Sequence, residues 1–176
     1  MTNRTVTYFT IKILLISIFI LFSINSHSQN RQENLIYQAK QMANYFKSED
    51  YKSYVKFVSP ELIKMVGGAE KMIILIEQQM SSIKNNQMQL EDIILGKPTS
   101  IINHSSQLQS SIPQSMIITT SESRITSKYN LIAISNDEGK NWTFLDTSGK
   151  DIQTMRKKFP NLSPDILLPA KVVTQE

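Results

Sequence analysis

The chain has 176 residues, no cysteine, and 19 basic against 15 acidic residues, a formal charge of +4. The missing thiols exclude disulfides, thiolate metal sites and cysteine nucleophiles. The length suits one domain that buries its own core without covalent staples.

The first stretch differs from the rest. Arg4 and Lys12 supply positive charge, no acid appears before Glu33, and Ile13 to Ile24 is almost wholly apolar. Ser26 and Ser28 then stand three and one residues before a cut at Gln29. A charged start, a short apolar run and a small-x-small site make the pattern of a cleaved secretory signal. The apolar run is about a dozen residues, short of the roughly 20 that a spanning helix needs. A lipoprotein is excluded because no cysteine follows the run. Residues 1–28 are therefore expected to be removed, leaving a domain of residues 29–176 exported to the periplasm or secreted, with no membrane attachment. Losing Arg4 and Lys12 leaves 17 basic residues against 15 acidic ones. The whole-chain pI of 9.2 thus overstates the charge, and no basic stripe for nucleic acid is visible.

Residues 34–47 read as an amphipathic helix, with Leu35, Ala39, Met42, Ala43 and Phe46 at spacings of three and four. Ser48-Glu49-Asp50 breaks it and supplies a new N-cap. Tyr51, Tyr54, Val55 and Val58 form a second short apolar stripe. Ser59-Pro60-Glu61 starts the next helix, with a hydroxyl at the cap, proline at the first position and an acid in the first turn. Gly67-Gly68 stops it. A long helix follows from Ala69, with Met72, Ile73, Ile76, Met80 and Ile83 on its inner face. From Met88 the β-branched residues, serine and threonine dominate, which predicts strands near 88–95, 99–104, 106–120, 125–135 and 141–147. Pro113, inside the third, calls for a bulge or a split strand. Residues 151–159 form a short helix, and Pro160, Pro164 and Pro169 mark a packed or extended tail. Helices first and strands after indicate α+β, with N-terminal helices packed on a curved antiparallel sheet.

One motif can be named. Ser135-Asn136-Asp137-Glu138-Gly139-Lys140-Asn141-Trp142 has the pattern Ser-x-Asp-x-Gly-x-x-Trp and resembles the Asp-box of sialidases and related β-propellers. The Asp137 carboxylate can accept N–H bonds across the turn, Gly139 can take the positive φ, and Trp142 can fold over the hairpin. Propellers carry the box once per blade, and here it occurs once. The motif therefore reads as a rigid structural turn.

A wider resemblance rests on several segments. Ser59-Pro60-Glu61-Leu62 with Gly67-Gly68 precedes a long helix. Ile112-Pro113 follows, then Ser127-Lys128-Tyr129-Asn130-Leu131-Ile132-Ala133-Ile134-Ser135 running into Asn141-Trp142-Thr143-Phe144, and then Phe159-Pro160 and Leu168-Pro169. In these the chain resembles a family of uncharacterised exported bacterial proteins with the nuclear transport factor two-like fold (SnoaL-like, cystatin-like α+β). That resemblance implies a cone-shaped sheet and brings no activity, because this fold hosts enzymes, transport adaptors and binding modules.

Isomerases of such a fold use a carboxylate base with hydrogen-bonding acids. Glu91 and Asp92 are the candidates, and adjacent strand residues point to opposite faces, so at most one can face a cavity. His104 is the sole histidine after the expected cut and sits among polar turn residues. It has no orienting partner as a base and no companion ligands for a metal. No cofactor is indicated. Gly-x-Ser-x-Gly and phosphate-loop patterns are absent. Arg156-Lys157-Lys158 reads as a solvated face. The residues favour a non-catalytic module that binds a small apolar ligand or a protein partner, with Tyr129 and Trp142 lining the site or a dimer face. The alternative is a small isomerase, cyclase or dehydratase with Glu91 or Asp92 as base. A homodimer through the sheet is a further expectation, with the serine-rich 99–120 region as its edge or as a solvated surface.

Overall fold

In a computed structural model the described residues are 30–176; the expected signal, residues 1–28, lies outside them. The first helix, α1, covers residues 30–47. Its expected stripe is its buried face: Leu35 and Ala39 are fully buried and Met42 and Ala43 nearly so. Asp50 then caps α2 (Tyr51–Tyr54), its carboxylate accepting the Ser53 N–H at 3.0 Å. A single 3-10 turn, Val55–Phe57, leads into α3 (Pro60–Val66). Ser59 holds the N-cap position of α3 without a side-chain capping bond. The chain is tied there instead by the Ser59 N–H to the Phe144 carbonyl, 3.0 Å. Gly67 ends α3 in the left-handed region, and the Gly68 N–H reaches back to the Ile63 carbonyl, a Schellman closure that glycine adopts without strain. The long helix α4 (Ala69–Asn85) follows directly.

Six strands then form an antiparallel sheet curled into a half-barrel, so the class is α+β. They are β1 (Gln89–Leu95), β2 (Ile102–His104), β3 (Gln107–Thr119), β4 (Arg124–Ser135), β5 (Thr143–Asp146) and β6 (Val172–Gln175). A short helix, α5 (Ile152–Lys158), separates the last two. β3 and β4 pair without interruption from Leu108↔Ser135 to Thr119↔Arg124. Each shares its outer flank between two partners. β1 pairs with the far half of β3 and β2 with its start, while β5 and β6 divide β4 in the same way.

That layout explains why Pro113 neither bulges nor splits β3, contrary to expectation. Pro113 lies where the partner changes from β1 to the segment before β2, and its carbonyl takes the Gly96 N–H at 2.7 Å. At such a junction the missing proline donor costs no ladder bond. The bulge falls instead on β1, where the register slips between Leu90 and Asp92.

The run Leu131-Ile132-Ala133-Ile134 is buried on both faces of β4. Leu131 and Ala133 meet Leu35, Ala39, Met42, Ile112, Trp142 and Phe144 under α1. Ile132 and Ile134 meet Leu145, Met155, Phe159, Leu162 and Ile166 on the opposite face. A continuous apolar run is what a doubly covered strand requires. The cover on that second face comes from α5 and the tail, so the tail is packed first and then becomes a strand, β6, which was not expected.

Within the serine-rich segment β2 stands at the sheet edge, paired with β3 alone, whereas the middle of β3 is covered on both faces. Gln109, Ser110 and Ser111 are wholly buried on β3. Gln109 donates to the Asn161 carbonyl and accepts the Ser163 N–H, both at 2.8 Å. Ser111 Oγ donates to the Leu167 carbonyl at 2.9 Å. These side chains hold the tail backbone, and the buried Ser163 N–H in particular would otherwise lack a partner.

Candidate functional site

On the α1 face of the sheet, α4 stands off from the strands. Only Met80 of its 17 residues is buried. The space between is an open cleft of about 620 Å³, within the usual range for small-molecule sites. Met72 and Ile76 of α4, Met42 and Phe46 of α1, Ile93 of β1 and Met116 and Ile118 of β3 give it apolar walls. Alternation places residues 114, 116 and 118 of β3 on one face, and β4 contributes Ser127, Tyr129 and Leu131 in the same way.

One end of the cleft is polar. The Tyr129 hydroxyl donates to Asp146 Oδ2 at 3.1 Å and accepts from Gln114 Nε2 at 3.0 Å. Asp146 Oδ1 accepts the Ser148 N–H at 2.6 Å and its hydroxyl at 3.2 Å. Burial, with the Asp146 charge second, pushes the Tyr129 phenol above its ordinary range, and the same causes raise Tyr54. Both phenols therefore stay protonated donors at any physiological pH. Lys171 Nζ lies 5.6 Å from the centre of the Tyr129 ring, within cation–π reach.

Of the site candidates Glu91, Asp92, Tyr129 and Trp142, Tyr129 alone lines this cleft. Trp142 does not: it is 1% exposed and packs in the core beneath α1. Its indole N–H donates to the Gly139 carbonyl at 3.1 Å, folding the ring over its own hairpin. In that turn Asp137 Oδ1 accepts the Asn141 N–H and the Ser135 hydroxyl, each at 2.9 Å, and Gly139 adopts φ +89. The Asn141 N–H is the main reason that the Asp137 carboxyl is held below its usual range. α1 clamps the turn from outside, with Asn34 donating to the Gly139 carbonyl and Gln38 bridging Lys140 and Trp142. The side chains of Ser135, Asp137, Asn141 and Trp142 are thus engaged in holding the turn.

Glu91 and Asp92 also lie outside the cleft. Glu91 makes a two-pronged ion pair with Arg124, and Asp92 pairs with Lys47 at 3.0 Å. The β1 bulge sets them apart from simple strand alternation. Each pairing holds its carboxyl below the ordinary range, with the Arg124 and Lys47 hydrogen bonds as the respective leading causes. Acids so lowered are poor proton acceptors. His104 ends β2 beside Ser105 and Ser106, both with positive φ.

The acid that sequence reading passed over is Asp146. It closes Thr143-Phe144-Leu145-Asp146, which reads as an ordinary strand with a polar end. The signal available was alternation: Phe144 faces α1, so Asp146 must face the same concavity. Among the described residues no three His, Cys, Asp or Glu side chains stand close enough to hold a metal ion, and no helix is long and apolar enough to cross a membrane.

No family model, curated protein or solved structure matches this chain.

Proposed function

We propose that this is an exported, non-catalytic binding domain whose cleft takes a small, mainly apolar ligand. The observation that carries the reading is the cleft itself, about 620 Å³ with mainly apolar walls and a hydrogen-bonded cluster of Gln114, Tyr129 and Asp146. Sites of that build bury a ligand's apolar body and orient it with few polar contacts. The methionines Met42, Met72 and Met116 suit a wall that adapts to its guest. Export rests on the pattern of Arg4, Lys12 and the Ile13–Ile24 run. A kinship with nuclear transport factor two-like chains would account for helices lying over the concave face of a curled sheet. Native mass spectrometry with a thermal-shift screen of lipids, steroids and aromatic acids tests the reading. Bound ligand and a raised Tm are expected, and no ligand under any condition removes it.

A small enzyme is the second reading, and one observation favours it: Asp146 and Tyr129 pair within the cleft. Against it, Asp146 is engaged by Tyr129 on one oxygen and twice by Ser148 on the other, which ties it into the turn after β5. Turnover of any screened compound, lost in Asp146→Asn with the fold intact, would establish the enzyme in place of the binder.

A further inference from the structure

We infer that the ligand is an anionic amphiphile, a long-chain carboxylate whose head sits between Lys150 and Lys171 while its chain runs under α4. The inference rests on the binding reading above and names its ligand class.

The charges decide the head. Asp146, Lys150 and Lys171 are the three charged residues lining the cleft, so the lining is net positive by one. They gather at one place in the fold. Asp146 ends β5, Lys150 follows in the next turn and Lys171 precedes β6. The apolar lining residues Ile93 of β1 and Met116 and Ile118 of β3 lie across β4 from β5. With strands about 4.8 Å apart, the lanes from β5 to β1 span about 14 Å. The cleft is therefore amphipathic along its length, as an amphiphile requires.

The acid among the three is already satisfied. Tyr129 and Ser148 occupy both Asp146 oxygens. Neither lysine has a carboxylate partner among the described ion pairs, which join Lys47, Lys84 and Arg124 to other acids. Lys171 is also held in place. Gly149 has φ +80, and the Lys171 side chain occupies the space where a Cβ at Gly149 would stand. The stem thus lies across the turn, and the ammonium is set over the Tyr129 ring at the mouth. Two ammonium groups without a carboxylate partner, one of them held over the Tyr129 ring, select a negative head.

Isothermal titration of the full chain with dodecanoate, dodecanol and dodecylamine, each below its micellar concentration, tests this. Dodecanoate should bind tightest, dodecanol more weakly and the amine weakest, with only the dodecanoate affinity falling as salt rises. Lys150→Gln and Lys171→Gln should each weaken dodecanoate about two- to fivefold, the worth of one partly screened charge, and leave dodecanol unchanged. Both lysines are exposed, so the variants should melt with the parent. Equal binding of the three probes, tighter binding of the amine, or lysine variants that leave dodecanoate unchanged overturns the anionic head while the binding reading stands. Failure of all three probes to bind overturns the binding reading itself.

Discussion

Gln109 offers a sharp test of how the tail is held. In Gln109→Leu the side-chain volume is nearly kept, so the cavity term is small. The substitution removes the 2.8 Å partners of the Ser163 N–H, which is buried, and of the Asn161 carbonyl, which is part-buried. A buried polar group left unsatisfied costs about 1–3 kcal/mol. The buried N–H therefore carries most of the cost and the part-buried carbonyl adds less, about 2–4 kcal/mol together. At about 2–4 °C per kcal/mol for a chain of this size, a loss of about 3 kcal/mol lowers Tm by about 6–12 °C. Urea and thermal unfolding give the global cost, and amide hydrogen exchange should localise the earliest opening to residues 161–168. An exposed control, Gln153→Ala, should stay within about 0.5 kcal/mol. A Gln109→Leu variant within about 1 kcal/mol of the parent, with unchanged exchange in the tail, would refute the buried-staple reasoning.

Leu35→Ala removes a fully buried side chain from the centre of the α1 contact and should cost about 2–5 kcal/mol in urea unfolding, whereas Tyr37→Ala on the exposed face should cost under about 0.5 kcal/mol. Gly139→Ala imposes a side chain at φ +89 and brings a Cβ to 2.9 Å from the flexible Arg31 Cγ. Arg31 can move, so the backbone strain dominates and the loss should be about 1–2 kcal/mol, read from the urea midpoint. The Asp137 carboxyl is held below its usual range, first by the Asn141 N–H. A depressed folded pKa contributes stability above the unfolded value near 3.9 and loses it as pH falls through the folded value. The urea midpoint should therefore fall below about pH 4, with a shallower fall in Asp137→Asn; an identical slope in the variant would remove Asp137 from that account.

The helical half was legible because its signals are local. Spacing along residues 34–47 found the buried face of α1, and Gly67-Gly68 marked a turn that only left-handed backbone can make. The Asp137–Trp142 hairpin was legible for the same reason, since its bonds close within eight residues. What stayed hidden depends on partners far along the chain. Gln109, Ser110 and Ser111 look solvated in sequence, and only the arrival of residues 161–167 turns them into buried staples. Pro113 looked disruptive because the change of strand partner beside it cannot be seen from β3 alone. β6 was missed because Val172-Val173-Thr174-Gln175 is a short, fully exposed run whose place is set by the free flank of β4. Glu91 and Asp92 drew attention as a pair of acids, yet Arg124 and Lys47 neutralise them. Asp146 drew none and faces the cleft.

The most direct measurement is ligand binding with the cleft filled from inside. Met116 lines the apolar end and is half-buried. Met116→Trp should occupy that space and keep the fold, as judged by circular dichroism and an unchanged or higher Tm. Dodecanoate binding by isothermal titration should then be one per chain in the parent and at least tenfold weaker in the variant. Equal binding in the two proteins would place any ligand elsewhere and contradict the cleft as the functional site.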